Sequence, residues 1–503
     1  MLRFFFMRLR PLMTPLLALS LTLQLGSALG AAAKPAAQSL PPSVSQALRQ
    51  VGIPPAAMAV EVMPLAPDGL PVPLLSREAR TPVNPASLMK LVTTYAGLDL
   101  LGPQFTWDTR IWTTGEVRAG TLHGDLIIEG SGDPKWVRER MEDTFAAIKS
   151  QGIERIDGHI VLDRSVMNVT PRSEAFDDEP LRPYNVEPDG LLVNFKALIF
   201  KFTPDPVSNV ARIDTEPYID GVSLPTQVPL SSTACQDWRS QLRADFSNPL
   251  QIRFTGAYPL ACGAQEWPVA YSDPTQYARR VVRGMWLAAG GQLSGQVREG
   301  QRPGSARLLL HSPSLPLSEL VADINKFSNN VMAQQLFLTL SVQPGVAGSF
   351  EQSRQRVGQW WRARLPLYTA PTLDNGSGLS RQERIEVRSL SALLQLAAQG
   401  PLAQTFQHSL SIVGVDGTVK HWMERYPHSQ LQGKAWLKTG SLRDVAAVAG
   451  YVQSQTGQRY SVVAIVNHED AKRARPALSA LLEWVENDAP PPSKPSGRRQ
   501  AKH

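Results

Sequence analysis

The heptapeptide Asn84-Pro85-Ala86-Ser87-Leu88-Met89-Lys90 opens an amphipathic stretch of the chain. Asparagine is a favoured N-cap and proline fits the first helical turn, so the pattern predicts a helix that begins here. The apolar residues that follow keep the spacing of a single buried stripe: Leu88, Leu91, Val92, Tyr95 and Leu98. Ser87 and Lys90 lie off this stripe and three residues apart. We therefore expect their side chains to be neighbours on the helix surface.

Ser87 and Lys90 form an S-x-x-K pattern that suits nucleophilic catalysis. A serine hydroxyl is a poor nucleophile at neutral pH and needs a base within hydrogen-bonding reach, which the lysine can supply. That lysine must be neutral, so burial and nearby positive charge have to lower its pKa. The N-terminal end of the helix directs its free N–H groups toward Ser87, where an oxyanion would develop. Taken alone, the pattern fits a surface serine and an unrelated lysine equally well.

Two further motifs follow much later in the chain. Ser328-Asn329-Asn330 separates two predicted helices, over residues 317–325 and 331–340, where serine and asparagine also serve simply to satisfy backbone groups. Lys438-Thr439-Gly440-Ser441 ends a predicted strand over 435–442. Such a strand can pair with an extended peptide, while the lysine and hydroxyls hold a carboxylate and the glycine leaves room for substrate. A strand that merely turns into a hairpin is the alternative.

The three motifs together, in this order, resemble those of the serine penicillin-recognising enzymes, which are penicillin-binding proteins and serine β-lactamases. The gap of 241 residues between Ser87 and Ser328 resembles that of the class C low-molecular-mass penicillin-binding proteins. These are the D-alanyl-D-alanine carboxypeptidases/endopeptidases of the penicillin-binding protein 4 type, peptidase family S13. Further stretches similar to that family lie at 130–134, 183–185, 193–195 and 374–381.

The resemblance implies a role for each motif residue. Ser87 would attack the carbonyl of the penultimate D-alanine and form an acyl-enzyme, with Lys90 as base. Ser328 would pass a proton to the leaving amine, and Asn330 would orient the peptide. Lys438, Thr439 and Ser441 would bind the terminal carboxylate, and Gly440 would complete the substrate-binding strand. The backbone N–H groups of Ser87 and Ser441 would form the oxyanion hole. No metal or organic cofactor is implied.

The resemblance also implies partners. These are peptidoglycan stem peptides that end in D-alanine or are cross-linked through it, with β-lactams as inhibitors. A β-lactamase-like or transpeptidase activity at the same site, or a non-catalytic peptidoglycan-binding protein, remain alternatives. The oligomeric state stays open.

The fold expected is an α/β transpeptidase-like domain, an antiparallel sheet flanked by helices. Three strand-like runs over 435–442, 445–452 and 460–467, closed by an amphipathic helix over 476–485, indicate that sheet directly. The domain is expected in two parts, 34–104 and 275–487. A β-rich insertion of one or two lobes, over 105–274, is expected between them, because short strands punctuated by turn residues dominate there.

The two ends of the chain differ from its body. Residues 1–33 carry three arginines, then an apolar stretch and small residues, which is typical of a cleaved signal peptide and predicts a periplasmic or otherwise exported protein. Residues 488–503 form a proline-rich basic tail that cannot bury enough apolar surface to fold. Residues 1–33 and 490–503 together account for the whole net charge of +7. A basic nucleic-acid-binding face is therefore not indicated, and no stable transmembrane segment is expected after cleavage.

Cys235 and Cys262 are the two cysteines of the chain. In an exported protein, an even pair this close predicts a disulfide, although two unrelated buried thiols remain the alternative. Without clustered histidines a zinc site is not indicated.

Overall fold

The structure is a computed structural model that describes residues 39–65, 72–170 and 175–487. The predicted signal peptide (1–33) and basic tail (488–503) lie outside these residues. The helices are α1 (Pro42–Gln50), α2 (Met89–Leu101), α3 (Arg138–Ser150), α4 (Trp238–Gln241), α5 (Pro274–Ala288), α6 (Leu317–Lys326), α7 (Asn330–Thr339), α8 (Phe350–Arg364), α9 (Val387–Gln399), α10 (Ala403–His408), α11 (Trp422–Arg425) and α12 (Arg475–Glu486).

The strands are β1 (Met58–Pro64), β2 (Leu75–Arg77), β3 (Asp108–Thr113), β4 (Glu116–Arg118), β5 (Thr121–His123), β6 (Leu126–Glu129), β7 (Arg155–Ile156), β8 (Ile160–Asp163), β9 (Ala197–Asp205), β10 (Val210–Glu216), β11 (Gln227–Ser231), β12 (Ala244–Asp245), β13 (Arg253–Phe254), β14 (Tyr258–Pro259), β15 (Gln265–Ala270), β16 (Gln292–Leu293), β17 (Val297–Glu299), β18 (Arg307–Pro313), β19 (Ser411–Ile412), β20 (Ala435–Leu442), β21 (Val445–Gln453) and β22 (Arg459–Asn467).

A six-stranded sheet in the order β19-β20-β21-β22-β1-β2 joins the two ends of the described chain. Every neighbouring pair is antiparallel, and β1 aligns with β22 so that Met58 faces Val466. The last three strands and the closing helix lie within two residues of their predicted bounds. The predicted antiparallel sheet flanked by helices is confirmed.

Both faces of this sheet are buried, because side chains alternate along each strand. On β22, Val463 and Ile465 enter the core that also contains α2, whereas Val462, Ala464 and Val466 enter the core shared with α1 and α12. Helices therefore cover the sheet on both sides. On β20, Trp436 and Leu442 lie on the face that packs against α2, and so do Lys438 and Gly440 between them.

The helix expected from Asn84 begins differently from the prediction. Ala86–Leu88 form a 3₁₀ turn, Ala86 has a positive φ of 47°, and the α-helix starts only at Met89. The Asn84 oxygen accepts the Ala86 N–H at 2.9 Å, but Pro85, not Asn84, occupies the N-cap position of this turn. The prediction that Pro85 lies in the first helical turn is wrong, because Pro85 precedes the turn.

The expected single buried stripe on α2 is also wrong. Every residue from Met89 to Leu98 is buried, including Thr93 and Thr94. The reason is that α6, α7, α8 and α9 all contact this helix, so it has no solvent face there. Sequence periodicity reports the most apolar face of a helix but not how many neighbours enclose it.

The insertion extends further than predicted. Strand β17 pairs in parallel with β8, and β18 pairs antiparallel with β3, so residues up to Pro313 complete a sheet that begins near residue 108. Helix α5 packs into the same core. The predicted boundary at residue 274 is therefore too early, because the pattern of α5 shows that one face is buried but not against which sheet.

The predicted disulfide is present in the insertion. Cys235 and Cys262 are bonded, with their Cα atoms 4.9 Å apart, and close a loop of 27 residues. Across the described ranges, we find no helix with both the length and the apolar character needed to span a membrane.

Candidate active site

Three elements bring the motifs together. Ser87 lies in the 3₁₀ turn that leads into α2, Ser328 lies two residues before α7, and Lys438 lies on β20. The 3₁₀ turn contacts β20, and α2 contacts α7. Residues that the sequence separates by hundreds of positions thus meet beside one face of the sheet.

Lys90 is fully enclosed, with no solvent exposure. Its Nζ atom lies 3.1 Å from Ser87 Oγ, 2.6 Å from Asn330 Oδ1 and 2.5 Å from the Ser377 carbonyl oxygen. Burial, together with the charge of Lys438, lowers the pKa of Lys90 well below its usual value. A neutral amine has two N–H groups and one lone pair. Asn330 and Ser377 can accept both N–H groups, which leaves the lone pair for the Ser87 hydroxyl.

Lys438 is the second fully buried lysine of the site. Its Nζ donates to Ser328 Oγ at 2.7 Å and to the Thr439 carbonyl at 2.9 Å. Burial lowers the pKa of Lys438 to about 7. Ser328 itself has a positive φ of 56°, a conformation that non-glycine residues rarely adopt and that clusters at functional sites.

Asn330 connects the site to the insertion. Its Oδ1 faces Lys90, while its Nδ2 donates to the backbone carbonyl of Tyr184 at 3.1 Å. The neighbouring Asn329 caps α7 by accepting the Met332 N–H at 3.1 Å. Because both polar atoms of Asn330 are engaged, a substrate amide would share Nδ2 with Tyr184 or replace it. Residues 183–185 are similar to the family in sequence, but nothing in the sequence indicated that the Tyr184 carbonyl contacts Asn330.

The end of β20 borders the site along one open edge. Strand β19 pairs with β20 only at Trp436 and Leu437, and within the described chain no strand covers the same edge from Lys438 to Ser441. Ser441 is exposed, and Thr439 donates its hydroxyl to Thr418 at 3.0 Å. Gly440 is buried, and a Cβ atom there would come within 2.8 Å of the Pro85 carbonyl. The glycine therefore allows β20 to approach the Ser87 turn.

Residues 374–381, one of the stretches similar to the family, complete the site. The Ser377 carbonyl accepts a hydrogen bond from Lys90 Nζ, and the Ser380 carbonyl accepts one from Asn84 Nδ2 at 2.9 Å. Gly378 has a φ of +83°, and a Cβ atom there would lie 1.9 Å from the Ala86 carbonyl oxygen. Only glycine allows this loop to press against the turn that holds Ser87.

Residues 41–487 match the sequence profile of the D-Ala-D-Ala carboxypeptidase 3 (S13) family. The chain belongs to this family. The match spans the described site and the insertion alike. The resemblance drawn from the motifs is thereby confirmed, as is the expectation of a serine-type D-Ala-D-Ala carboxypeptidase.

Individual S13 relatives are distant in sequence but extensive in coverage. The D-alanyl-D-alanine carboxypeptidase DacB of Haemophilus influenzae is 25% identical over 76% of this chain and 80% of its own length. The D-alanyl-D-alanine carboxypeptidase of Actinomadura sp. (strain R39) is 27% identical over 83% of this chain and 80% of its own. A solved structure of penicillin-binding protein 4 from Haemophilus influenzae superposes with a TM-score of 0.70 at 23% identity, over 88% of this chain and 98% of that one. The two folds therefore agree over 88% of this chain.

Proposed function

We propose that this S13 enzyme cleaves D-alanyl peptide bonds through an acyl-enzyme on Ser87. The Ser87 oxygen attacks the carbonyl carbon while its proton passes to the neutral amine of Lys90. The resulting tetrahedral oxyanion faces the backbone N–H groups of Ser87 and Ser441, which supply preorganised charge stabilisation. When the C–N bond breaks, its electron pair stays on the departing nitrogen and an ester remains on Ser87.

One observation carries this proposal: the position of Lys90 Nζ. It lies 3.1 Å from Ser87 Oγ and is buried without any exposed surface. A base must lie within hydrogen-bonding reach of the proton that it removes, and its pKa must favour the neutral form. The distance and the lowered pKa of Lys90 meet both conditions.

The departing amine needs a proton, and Ser328 is placed to give one. Its oxygen accepts a hydrogen bond from Lys438 Nζ, so its own hydroxyl hydrogen can point toward the leaving nitrogen. Lys438 can then restore the proton to Ser328. Once the amine has left, solvent carries the proton of Lys90 to Lys438, which returns Lys90 to its neutral form. Water afterwards hydrolyses the ester, with Lys90 again as base.

The open edge of β20 supports an extended peptide as substrate. A peptide added along Lys438–Ser441 would form main-chain hydrogen bonds and leave its terminal carboxylate beside Lys438, Thr439 and Ser441. In peptidoglycan, stem peptides that end in D-alanine have this form. Cross-linked stems present the same bond, and cleavage there would be endopeptidase activity. This substrate implies an exported enzyme in the periplasm or beyond.

Acylation by benzylpenicillin tests the proposal. We expect intact-mass spectrometry to show one added penicillin mass, and peptide mapping to place it on Ser87. The adduct should be lost in Ser87→Ala and retained in the matched Ser45→Ala variant, because Ser45 lies outside the site. Absence of labelling, or labelling that persists in Ser87→Ala, would refute the proposal.

The lifetime of the adduct and two peptide assays separate the alternative activities. A penicillin-binding protein keeps the adduct for long times, whereas a β-lactamase-like enzyme releases hydrolysed penicillin and recovers rapidly. A D-Ala-D-Ala-terminated peptide should release free D-alanine, and an added acceptor amine would trap the acyl group if transpeptidation dominated. A non-catalytic binding protein would acquire no adduct at all.

A further inference from the structure

Glu383 is a buried acidic residue that lies outside the three motifs. It contacts the turn next to Lys90. Its side chain has no solvent exposure. Oε1 accepts three successive backbone N–H groups, those of Asp374 at 3.2 Å, Asn375 at 3.2 Å and Gly376 at 2.9 Å. Oε2 has no hydrogen-bond partner among the described residues. A single carboxyl oxygen thus holds one backbone turn, residues 374–377.

The turn held by Glu383 touches helix α2 at two points. The Ser377 carbonyl lies 2.5 Å from Lys90 Nζ, and the Gly376 carbonyl accepts from Thr93 Oγ1 at 2.6 Å. The turn is therefore fixed between Glu383 on one side and α2 on the other. Any movement of this turn would displace one of the two acceptors that direct the amine of Lys90.

The charges of Glu383 and Lys90 also affect each other. A negative charge on Glu383 raises the pKa of Lys90, in opposition to burial and to Lys438 on β20. Burial raises the pKa of Glu383 itself to about 7, with a smaller contribution from the charge of Asp374 in the turn. The charged groups that face this pair are therefore Lys438 and Asp374.

We propose that Glu383 is a positioning residue for Lys90, which places the Ser377 carbonyl on the Lys90 amine and biases that amine between its neutral and charged forms. The inference rests on the proposed function, in which Lys90 is the base. Ionised Glu383 favours the ammonium form and opposes catalysis. Neutral Glu383 favours the amine.

The charge effect is tested with Glu383→Gln. Glutamine keeps one carbonyl oxygen for the three N–H groups and removes the charge. The rate constant for acylation by benzylpenicillin is measured against pH, and its acid limb reports protonation of Lys90. We expect the limb of Glu383→Gln to move to lower pH by about one unit, with the plateau rate retained. A limb that coincides with that of the parent enzyme would overturn the charge effect.

Glu61→Gln is the matched control. Glu61 lies on β1, is also buried, and burial raises its pKa to about 7, but its hydrogen-bond partner is Ser76. We expect its profile to coincide with the parent profile. A shift as large as that of Glu383→Gln would mean that any buried carboxyl of this domain has the effect, and would refute the specific role of Glu383.

The positioning effect is tested from the helix side, because Glu383→Ala can unfold the protein. Thr93→Val keeps the shape of the side chain and removes the hydrogen bond to Gly376. We expect a plateau acylation rate at least tenfold lower, with an unchanged acid limb, and recovery in Thr93→Ser. An unchanged plateau rate in Thr93→Val would refute positioning through the turn.

These outcomes are distinct from failure of the proposed function. If the parent enzyme acquires no adduct on Ser87, the proposed function itself is wrong. If the parent is labelled and neither Glu383→Gln nor Thr93→Val changes its kinetics, only the role of Glu383 is refuted.

Discussion

Asn330 Oδ1 lies 2.6 Å from Lys90 Nζ, although 240 positions of sequence separate the two residues. The contact joins the second motif to the first and aligns the lysine amine with Ser87. Asn330 thus acts on the proposed base as well as on any bound peptide.

Asn330→Asp would place a carboxylate beside Lys90 without a change of shape. A negative charge at this distance favours the ammonium form, so the pKa of Lys90 rises. Because only the neutral amine can act as base, we expect the acid limb of the acylation profile to move up by about one to three pH units. Stopped-flow acylation by benzylpenicillin across pH measures this, and a limb that moves down would contradict it.

Lys438→Met would remove the positive charge that helps to lower the pKa of Lys90. We expect the acid limb to rise in pH and the KM for a D-Ala-D-Ala-terminated peptide to increase, because its carboxylate loses a cation. Lys472→Met changes an exposed lysine and serves as the control. Equal KM values for the two variants would argue against carboxylate binding by Lys438.

Gly378→Ala should distort the 3₁₀ turn that contains Ser87. The added Cβ would lie 1.9 Å from the Ala86 carbonyl, at a φ of +83°. Gly457→Ala is a matched control, because Gly457 has a φ of +85° but a Cβ atom added there would meet nothing within 4 Å. We expect both variants to lose some stability and Gly378→Ala alone to lose acylation by more than about tenfold, or 1.4 kcal/mol. Similar acylation rates in both would show that the contact with Ala86 is unimportant.

Gln335→Leu should weaken the connection between α7 and the insertion. The buried Gln335 amide donates to the Gly132 carbonyl at 3.0 Å and the Asp189 carbonyl at 2.8 Å, and accepts the Asp189 N–H at 2.8 Å. Leucine would leave these buried groups unpaired, at a cost of about 3 kcal/mol. Thermal unfolding measures the loss, with the exposed Gln355→Leu as control. Equal melting temperatures would contradict the prediction.

Replacement of both Cys235 and Cys262 by serine should affect the insertion only. A closed loop of 27 residues contributes about 3 kcal/mol through the entropy of the unfolded chain. We expect faster hydrogen exchange in β11 and β15 and an unchanged acylation rate. Slower acylation in this variant would show that the disulfide loop also supports the site.

The sequence by itself determined the sheet, the family and the three motifs. Strands β20 to β22 carry alternating or continuous apolar runs between clear turns, and local patterns of this kind specify strands whatever surrounds them. The short spacing from Ser87 to Lys90 likewise specifies one helical turn, so their 3.1 Å contact was predictable.

Only the tertiary structure decided which distant groups complete the site. The Ser377 carbonyl contacts Lys90, and the Glu383 carboxyl holds the 374–377 turn. The Tyr184 carbonyl contacts Asn330. Chain reversals that no local pattern encodes bring these groups together. Backbone carbonyls carry no residue-specific signal, and the burial that lowers the pKa of Lys90 depends on helices that pack from several sides. The same limit explains the insertion boundary, since the amphipathic face of α5 identified a buried helix but not its partner sheet.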